Sequence, residues 1–229
     1  MNSSMIWVFV AFAVLCVSVF LVVEGQRRQS VERVAETMGL SFTGGQHRLP
    51  DAIDQAGFYL FTQGQPLILN GLDGVRSGYQ VSLFDFAYDA GRGEEGSRDL
   101  MPADVGQQER RLQTVVWLHR PGQALPDFDL SPTRQVLRRV GGAFGLQPVA
   151  FDGRDDFRDR YHLLGRDPAA LRQVFGPRVI AAVLAEPGWF IEGRGDEWLV
   201  YRLSERASPE RLPAFVDQAI GLIERLAGR

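Results

Sequence analysis

The sequence contains no lysine, and its single cysteine is Cys16. All 25 basic residues are therefore arginines, which excludes Schiff-base chemistry and the lysine contact of a P-loop. Because Cys16 lies in an apolar stretch, the rest of the chain offers no disulfide, cysteine zinc site or cysteine nucleophile. Arginine without lysine, together with the scarcity of asparagine, is typical of a GC-rich bacterial genome.

The charge balance and the histidines exclude further classes of function. The 25 basic residues face 28 acidic ones, and a net charge of −3 argues against the broad basic face of a nucleic-acid-binding protein. His47, His119 and His162 are far apart and have no partner at metal-ligand spacing. The chain also lacks a Gly-x-Ser-x-Gly elbow, a Walker loop and a strand-linked Gly-x-Gly-x-x-Gly. We therefore expect no nucleic-acid partner, no metal and no cofactor.

The N-terminus carries the one long apolar run of the chain. Nineteen residues from Met5 to Val23 carry no charge, and a helix of that length extends for about 30 Å. A cleaved signal peptide needs a positively charged start, which MNSS lacks, and a lipoprotein signal needs a small residue where Leu15 precedes the cysteine. The sequence thus predicts a permanent transmembrane helix, with residues 1–25 as the anchor.

The residues after the run predict its orientation. Arg27, Arg28 and Arg33 follow closely, whereas only the terminal amine precedes it, so the positive-inside rule keeps the C-terminal side in the cytoplasm. The expectation is a single-pass protein of the bacterial plasma (inner) membrane with a cytoplasmic C-terminal domain. Its expected partners are the lipid bilayer, through residues 5–23, and a membrane or cytoplasmic protein that the sequence does not identify.

Residues 26–229 read as one soluble α+β domain, and whether two subdomains meet near residues 126–150 stays open. A helix pattern over residues 26–39 either continues from the membrane or begins after Gly25. Helices are expected to begin at three capping pairs, Ser131-Pro132, Asp167-Pro168 and Ser208-Pro209. Alternating or β-branched runs predict strands at 67–72, 79–88, 112–119, 189–192 and 198–202. Because strands and helices do not alternate regularly, the predicted fold class is α+β: an N-terminal transmembrane helix followed by a soluble domain of antiparallel strands with flanking helices.

A long polar segment separates two of the predicted strands. Residues 90–108 consist mostly of glycine and charged residues, and a hairpin loop normally needs only two to five residues. Too few large apolar side chains are present to offset the entropy of ordering the segment. We expect a mobile loop that folding does not require, with its role in function left open.

Several segments resemble a family of uncharacterised bacterial proteins that have one N-terminal transmembrane helix and a domain of unknown function. The resemblance extends nearly from end to end. Its most specific part is the strand Leu83-Phe84-Asp85-Phe86-Ala87-Tyr88, followed by Gln113-Thr114-Val115-Val116. The remaining matches are Met38-Gly39-Leu40-Ser41-Phe42, Leu125-Pro126-Asp127-Phe128, Phe157-Arg158-Asp159-Arg160-Tyr161, Glu192-Gly193 and Trp198-Leu199-Val200-Tyr201-Arg202. The resemblance implies the membrane topology and no particular chemistry, and this chain departs from it in its longer polar loop.

Two carboxylates are the candidate catalytic residues. Asp85 would share a strand face with Leu83 and Ala87, so it must find an arginine or a backbone donor there, or else serve chemistry. Asp155 belongs to the acidic run from Asp152 to Arg160, which contains four carboxylates and three arginines. That run could hold a hard cation, but the interleaved arginines favour a solvated, salt-bridged turn.

Two functions remain open from the sequence. The favoured one is a non-enzymatic binding or scaffold module, tethered to the cytoplasmic face of the membrane. The alternative is a carboxylate-dependent hydrolase that uses Asp85 with an acid such as Asp155. A deep pocket that holds Asp85 and a second acid would favour the hydrolase.

Overall fold

A computed structural model of the chain describes residues 3–46, 49–62, 67–90, 109–133 and 145–228. In the first turns of the N-terminal helix, the described side chains are those of Trp7, Phe12, Val14, Leu15 and Ser18, and of every residue from Leu21 on. The helices are α1 (Ser3–Met38), α2 (Asp51–Gln55), α3 (Asp155–Arg158), α4 (Pro168–Val174), α5 (Pro177–Ala185) and α6 (Leu212–Leu226), with 3₁₀ helices at Tyr59–Thr62 and Pro209–Arg211. The strands are β1 (Ser41–Gln46), β2 (Leu67–Arg76), β3 (Tyr79–Ala90), β4 (Glu109–His119), β5 (Leu125–Pro132), β6 (Gln147–Pro148), β7 (Tyr161–Gly165), β8 (Trp189–Gly195) and β9 (Glu197–Arg202).

The described strands form one nine-stranded sheet in the order β1-β2-β3-β4-β9-β8-β5-β7-β6. Every pairing in it is antiparallel. Because side chains alternate between the faces of a strand, the sheet separates two hydrophobic clusters. Leu83 of β3 packs in the larger cluster with α1, α4, α5 and α6, whereas Phe84 packs in the smaller cluster with residues of α2 and the first 3₁₀ helix.

Helix α1 corrects the expected N-terminus. Of the two alternatives at Gly25, the continuous helix is the one found: α1 runs without a break to Met38, and Val31, Ala35 and Met38 are buried in the larger hydrophobic cluster. Among the residues that the structure describes, no helix is long and apolar enough to cross a membrane. The transmembrane helix in the expected fold class is therefore wrong for this part of the chain, whereas the antiparallel strands with flanking helices are present as expected.

Of the three predicted capping pairs, Asp167-Pro168 is confirmed with its side-chain cap, and Ser208-Pro209 is confirmed only as a helix start, without a capping hydrogen bond from its side chain. The Asp167 side chain accepts hydrogen bonds from two backbone amides in the first turn of α4. The Ser208-Pro209 pair opens a 3₁₀ helix that leads into α6. Ser131 and Pro132 form the end of strand β5, where they pair with β7. The helix predicted after this pair falls largely on residues 134–144, which lie outside the described residues.

Three further expectations have no structural outcome. Most of the 90–108 segment, from residue 91 onward, lies outside the described residues, as does His47. The division of the soluble part near residues 126–150 stays a prediction.

Candidate functional site

A buried carboxylate marks the contact between α1 and the sheet. Asp85 lies on β3 between Phe84 and Phe86, on the helix-covered face that it shares with Leu83 and Ala87, and it is only 2% exposed. Ionising a carboxyl group there is unfavourable by several kcal/mol unless opposite charges and hydrogen bonds compensate. The surroundings of Asp85 supply both kinds of compensation.

Two arginines from distant parts of the chain pair with Asp85. Arg27 of α1 binds it in a two-point contact: its Nε lies 2.9 Å from Oδ2, and its Nη2 lies 2.9 Å from Oδ1. Arg206, in the segment between β9 and α6, donates from Nε to Oδ2 over 3.0 Å. Such two-point guanidinium–carboxylate pairs combine charge with fixed geometry. Asp85 is thus held in the arginine-paired state that the sequence offered as one of its two interpretations.

Neutral donors complete the environment of Asp85. Thr114, opposite it on β4, donates from Oγ1 to Oδ1 over 3.0 Å, and the Asn70 amide donates to Oδ2 over 3.1 Å. Asn70 reaches this position because β2 is irregular between Leu69 and Leu72, where Asn70 has φ +52°. Asparagine tolerates this left-handed conformation better than most residues. Asp85 therefore accepts five side-chain hydrogen bonds, which leaves little capacity to accept a proton from a substrate.

Glu24 of α1 adds a second carboxylate beside the first. Arg206 donates to its two oxygens, over 2.9 Å to Oε2 and 2.5 Å to Oε1, and Asn70 donates to Oε1 over 2.9 Å. The hydrogen bonds from Arg206 lower the pKa of Glu24 against the opposing effect of burial. Burial by itself lowers the pKa of Arg206, but hydrogen bonds and charges from Glu24 and Asp85 raise it overall. Both groups are therefore held in their charged forms.

We name these side chains the junction cluster: Glu24, Arg27, Asn70, Asp85, Thr114 and Arg206. Its two acids and two arginines balance in formal charge, and the cluster joins α1 to β2, β3, β4 and the segment before α6. Backbone contacts tighten it further, because Arg27 donates to the Ala207 carbonyl over 2.8 Å and the Ala207 amide donates to Thr114 Oγ1 over 3.0 Å. The cluster fixes the position of α1 on the sheet.

A second buried acid, on the opposite face of the sheet, was missed by sequence reasoning. Glu192 of β8 is fully buried and accepts hydrogen bonds from the Tyr59 amide (2.5 Å), the Leu60 amide (3.2 Å) and the Tyr201 hydroxyl (3.0 Å). Arg194 lies 3.9 Å from it and forms an ion pair with Asp129 at 2.9 Å. Glu192 thus holds the first 3₁₀ helix to the sheet, which is a structural role.

The structure does not bring the two candidate catalytic acids together. Asp155 begins α3 before β7 and forms an exposed ion pair with Arg158 at 2.9 Å. Because β7 lies five strand positions from β3, the two acids are about 20 Å or more apart across the sheet. Phe157 is 2% exposed in the larger hydrophobic cluster, and Arg154 pairs with Asp156 in a two-point contact. The acidic run is therefore the salt-bridged turn that the interleaved arginines indicated.

Concave surface occurs beside this turn. Two adjoining clefts, of about 450 and 470 Å³, share the wall Ala150–Asp152 and Arg154, and neither is lined by Asp85. Within the described residues, no group of three or more histidines, cysteines or acids is arranged to hold a metal ion. The contacts of Asp85 hold elements of the fold together, and neither of the two clefts lies beside it.

The fold can be compared with known proteins. No family model matches the chain, and no curated protein matches it either. Among solved structures, the chain is similar to the crystal structure of the mycobacterial trehalose monomycolate transport factor A, TtfA, with a TM-score of 0.57 and 15% sequence identity. The match covers 90% of this chain and 93% of that one. At this identity the similarity establishes a shared fold, and the neighbour is bacterial, as the arginine usage suggested for this chain.

Proposed function

We propose that the protein is a non-enzymatic binding or scaffold module that associates with the bacterial plasma membrane through residues 5–23. The observation that carries this proposal is the bare apolar surface of α1 before the junction cluster. Seven large apolar side chains there are 57–72% exposed: Trp7, Phe12, Val14, Leu15, Leu21, Val22 and Val23. Contiguous apolar surface of this kind marks an interaction site. We call residues 3–23 of α1 the arm.

The distribution of these side chains around the arm favours lipid as the partner. At 100° per residue, Phe12 and Leu21 lie about 180° apart on the helix, yet both are more than 60% exposed. A protein groove would cover one side of a helix, whereas acyl chains have no fixed shape and can contact apolar side chains on more than one side. The surface therefore suits a bilayer better than a single protein face.

Charge near the junction supports contact with the cytoplasmic face. Arg27 is neutralised by Asp85, but Arg28 and Arg33 are exposed and close to the arm. The anionic lipids of the cytoplasmic leaflet attract such residues by about 1 kcal/mol each. The structural neighbour is named as a transport factor, which supports an accessory role for this chain as well.

Vesicle flotation tests the proposal. The full chain should float with vesicles of phosphatidylethanolamine and phosphatidylglycerol. The triple variant Phe12→Glu/Leu15→Glu/Val22→Glu should bind at least about tenfold more weakly, since each substitution places a charge on the apolar surface. These side chains are exposed, so the melting temperature should not change.

Val75→Glu is the matched control. Val75 is a large apolar residue that is 67% exposed, but it lies on β2 and outside the arm. This variant should float like the unaltered protein. A chain that stays in the dense fraction, or a triple variant that floats fully, would overturn the proposal.

A further inference from the structure

We infer that the Glu24–Arg206 contact couples the arm to the sheet, so that lipid contact on the arm tightens the packing of α1 on the domain. This inference rests on the proposed function and adds a regulatory consequence to it. It is carried by the position of the junction cluster, which begins where the described side chains of α1 first pack against the rest of the fold.

On the side of α1 that faces the sheet, the described side chains are shielded from solvent from Glu24 onward. Val22 and Val23 are more than half exposed, whereas the side chains of Glu24 and Arg27 are 21% and 12% exposed, and Val31 is 1% exposed. The helix is continuous through this boundary. A change in the tilt or rotation of the arm is therefore transmitted directly to Glu24 and Arg27.

Arg206 connects that motion to the rest of the fold. Its guanidinium group is shared between the two acids: Nε binds Asp85, and the two terminal nitrogens bind Glu24. Asn70 is shared in the same way, since its amide donates to both carboxylates. A displacement of Glu24 would therefore disturb β2 at Asn70 and the segment before α6 at Arg206 together.

Apolar packing and the junction cluster both hold the second half of α1. Val31, Ala35 and Met38 are buried there and Val34 is partly buried, and the junction cluster adds ion pairs at the start of this half. Coupling between two sites is reciprocal. A bilayer that fixes the arm in the orientation that the junction requires would stabilise the junction, and an intact junction would strengthen binding to the bilayer.

Hydrogen exchange with and without vesicles tests the coupling in the full chain. In the unaltered protein, vesicles should slow exchange about tenfold at residues 31–38, 67–72 and 203–207, none of which contacts lipid in this account. In Glu24→Gln, flotation should persist, but the vesicle-dependent slowing at these three segments should be lost. Glu24→Asp, which keeps the charge on a shorter side chain, should retain part of it.

Asp217→Asn is the matched control. It breaks the exposed two-point pair of Asp217 with Arg76, at 2.7 and 2.8 Å, which does not involve α1. Its exchange response to vesicles should equal that of the unaltered protein. If Glu24→Gln does not fold, the Glu24→Asp comparison decides, and a full response in that variant would overturn the inference.

The two proposals fail in different ways. A chain that does not bind vesicles contradicts the proposed function. A chain that binds them without slower exchange at the three segments contradicts only the coupling. A Glu24→Gln protein that responds as fully as the unaltered one also contradicts it.

Discussion

At the scale of single residues, the junction cluster shows how a buried acid, Asp85, and a partly buried one, Glu24, are accommodated by geometry. Asp85 and Glu24 share one guanidinium group and one amide. The sequence placed Asp85 on an apolar strand face and so anticipated a partner for it. It did not identify Arg27 and Arg206, because these partners lie 58 and 121 residues away. Local periodicity carries no information about contacts at such distances.

Removing the charge of Asp85 should strongly destabilise the fold. In Asp85→Asn, two partly buried arginines lose their shared anion, and breaking a buried pair in this way reduces the free energy of unfolding by about 3 kcal/mol or more. Urea denaturation measures the change. Asp217→Asn breaks an exposed pair and should reduce the same free energy by less than about 1 kcal/mol. Equal effects of the two substitutions would contradict the importance of the cluster.

The contribution of Glu24 should depend on pH. Because its folded-state pKa is lowered from the ordinary value of 4.5, its stabilisation is present above that value and is lost as the pH falls through the folded-state pKa. The difference in unfolding free energy between the unaltered protein and Glu24→Gln should be constant above about pH 6 and shrink below pH 4.5. A difference that grows towards acid pH would have the wrong sign.

At the scale of elements, α1 is one continuous helix, whereas the sequence left open whether a new helix begins after Gly25. Gly25 follows the apolar run and is a weak helix former, which made it a natural boundary. Continuity instead comes from the residues after it, since Arg27 and Val31 bind the sheet in helical geometry. The strands at 79–88 and 189–192 were predictable because their alternation or β-branched content is local. Strand β5 was not, because its pairing partners come from β7 and β8.

Gly25 should be replaceable by a better helix former. A Cβ atom at this position meets nothing within 4 Å, so Gly25→Ala should raise the free energy of unfolding by up to about 1 kcal/mol. Gly25→Pro should break a helical hydrogen bond and lower it by about 3 kcal/mol. Circular dichroism and thermal denaturation of the two variants measure both effects. An unchanged free energy of unfolding in Gly25→Pro would show that α1 does not stabilise the fold as one continuous helix.

At the scale of the whole molecule, one sheet separates two hydrophobic clusters, and α1 extends beyond both. The sequence predicted the apolar character of residues 5–23 and the antiparallel strands, because both follow from local composition and alternation. It did not predict that the helix would be fastened to the sheet by a cluster of balanced charges, which only the tertiary fold assembles. The candidate site is therefore a junction between the arm and the domain, and its role is to hold and orient.

Tryptophan fluorescence tests the central claim, contact between the arm and lipid, most directly. Trp7 is 72% exposed, whereas Trp117, Trp189 and Trp198 are at most 7% exposed, so an added bilayer can reach only Trp7. Vesicles should shift the emission to shorter wavelength, and vesicles with brominated acyl chains should quench the shifted component. The Trp7→Phe variant should show neither effect. Emission from the unaltered protein that does not change with either kind of vesicle would contradict the account.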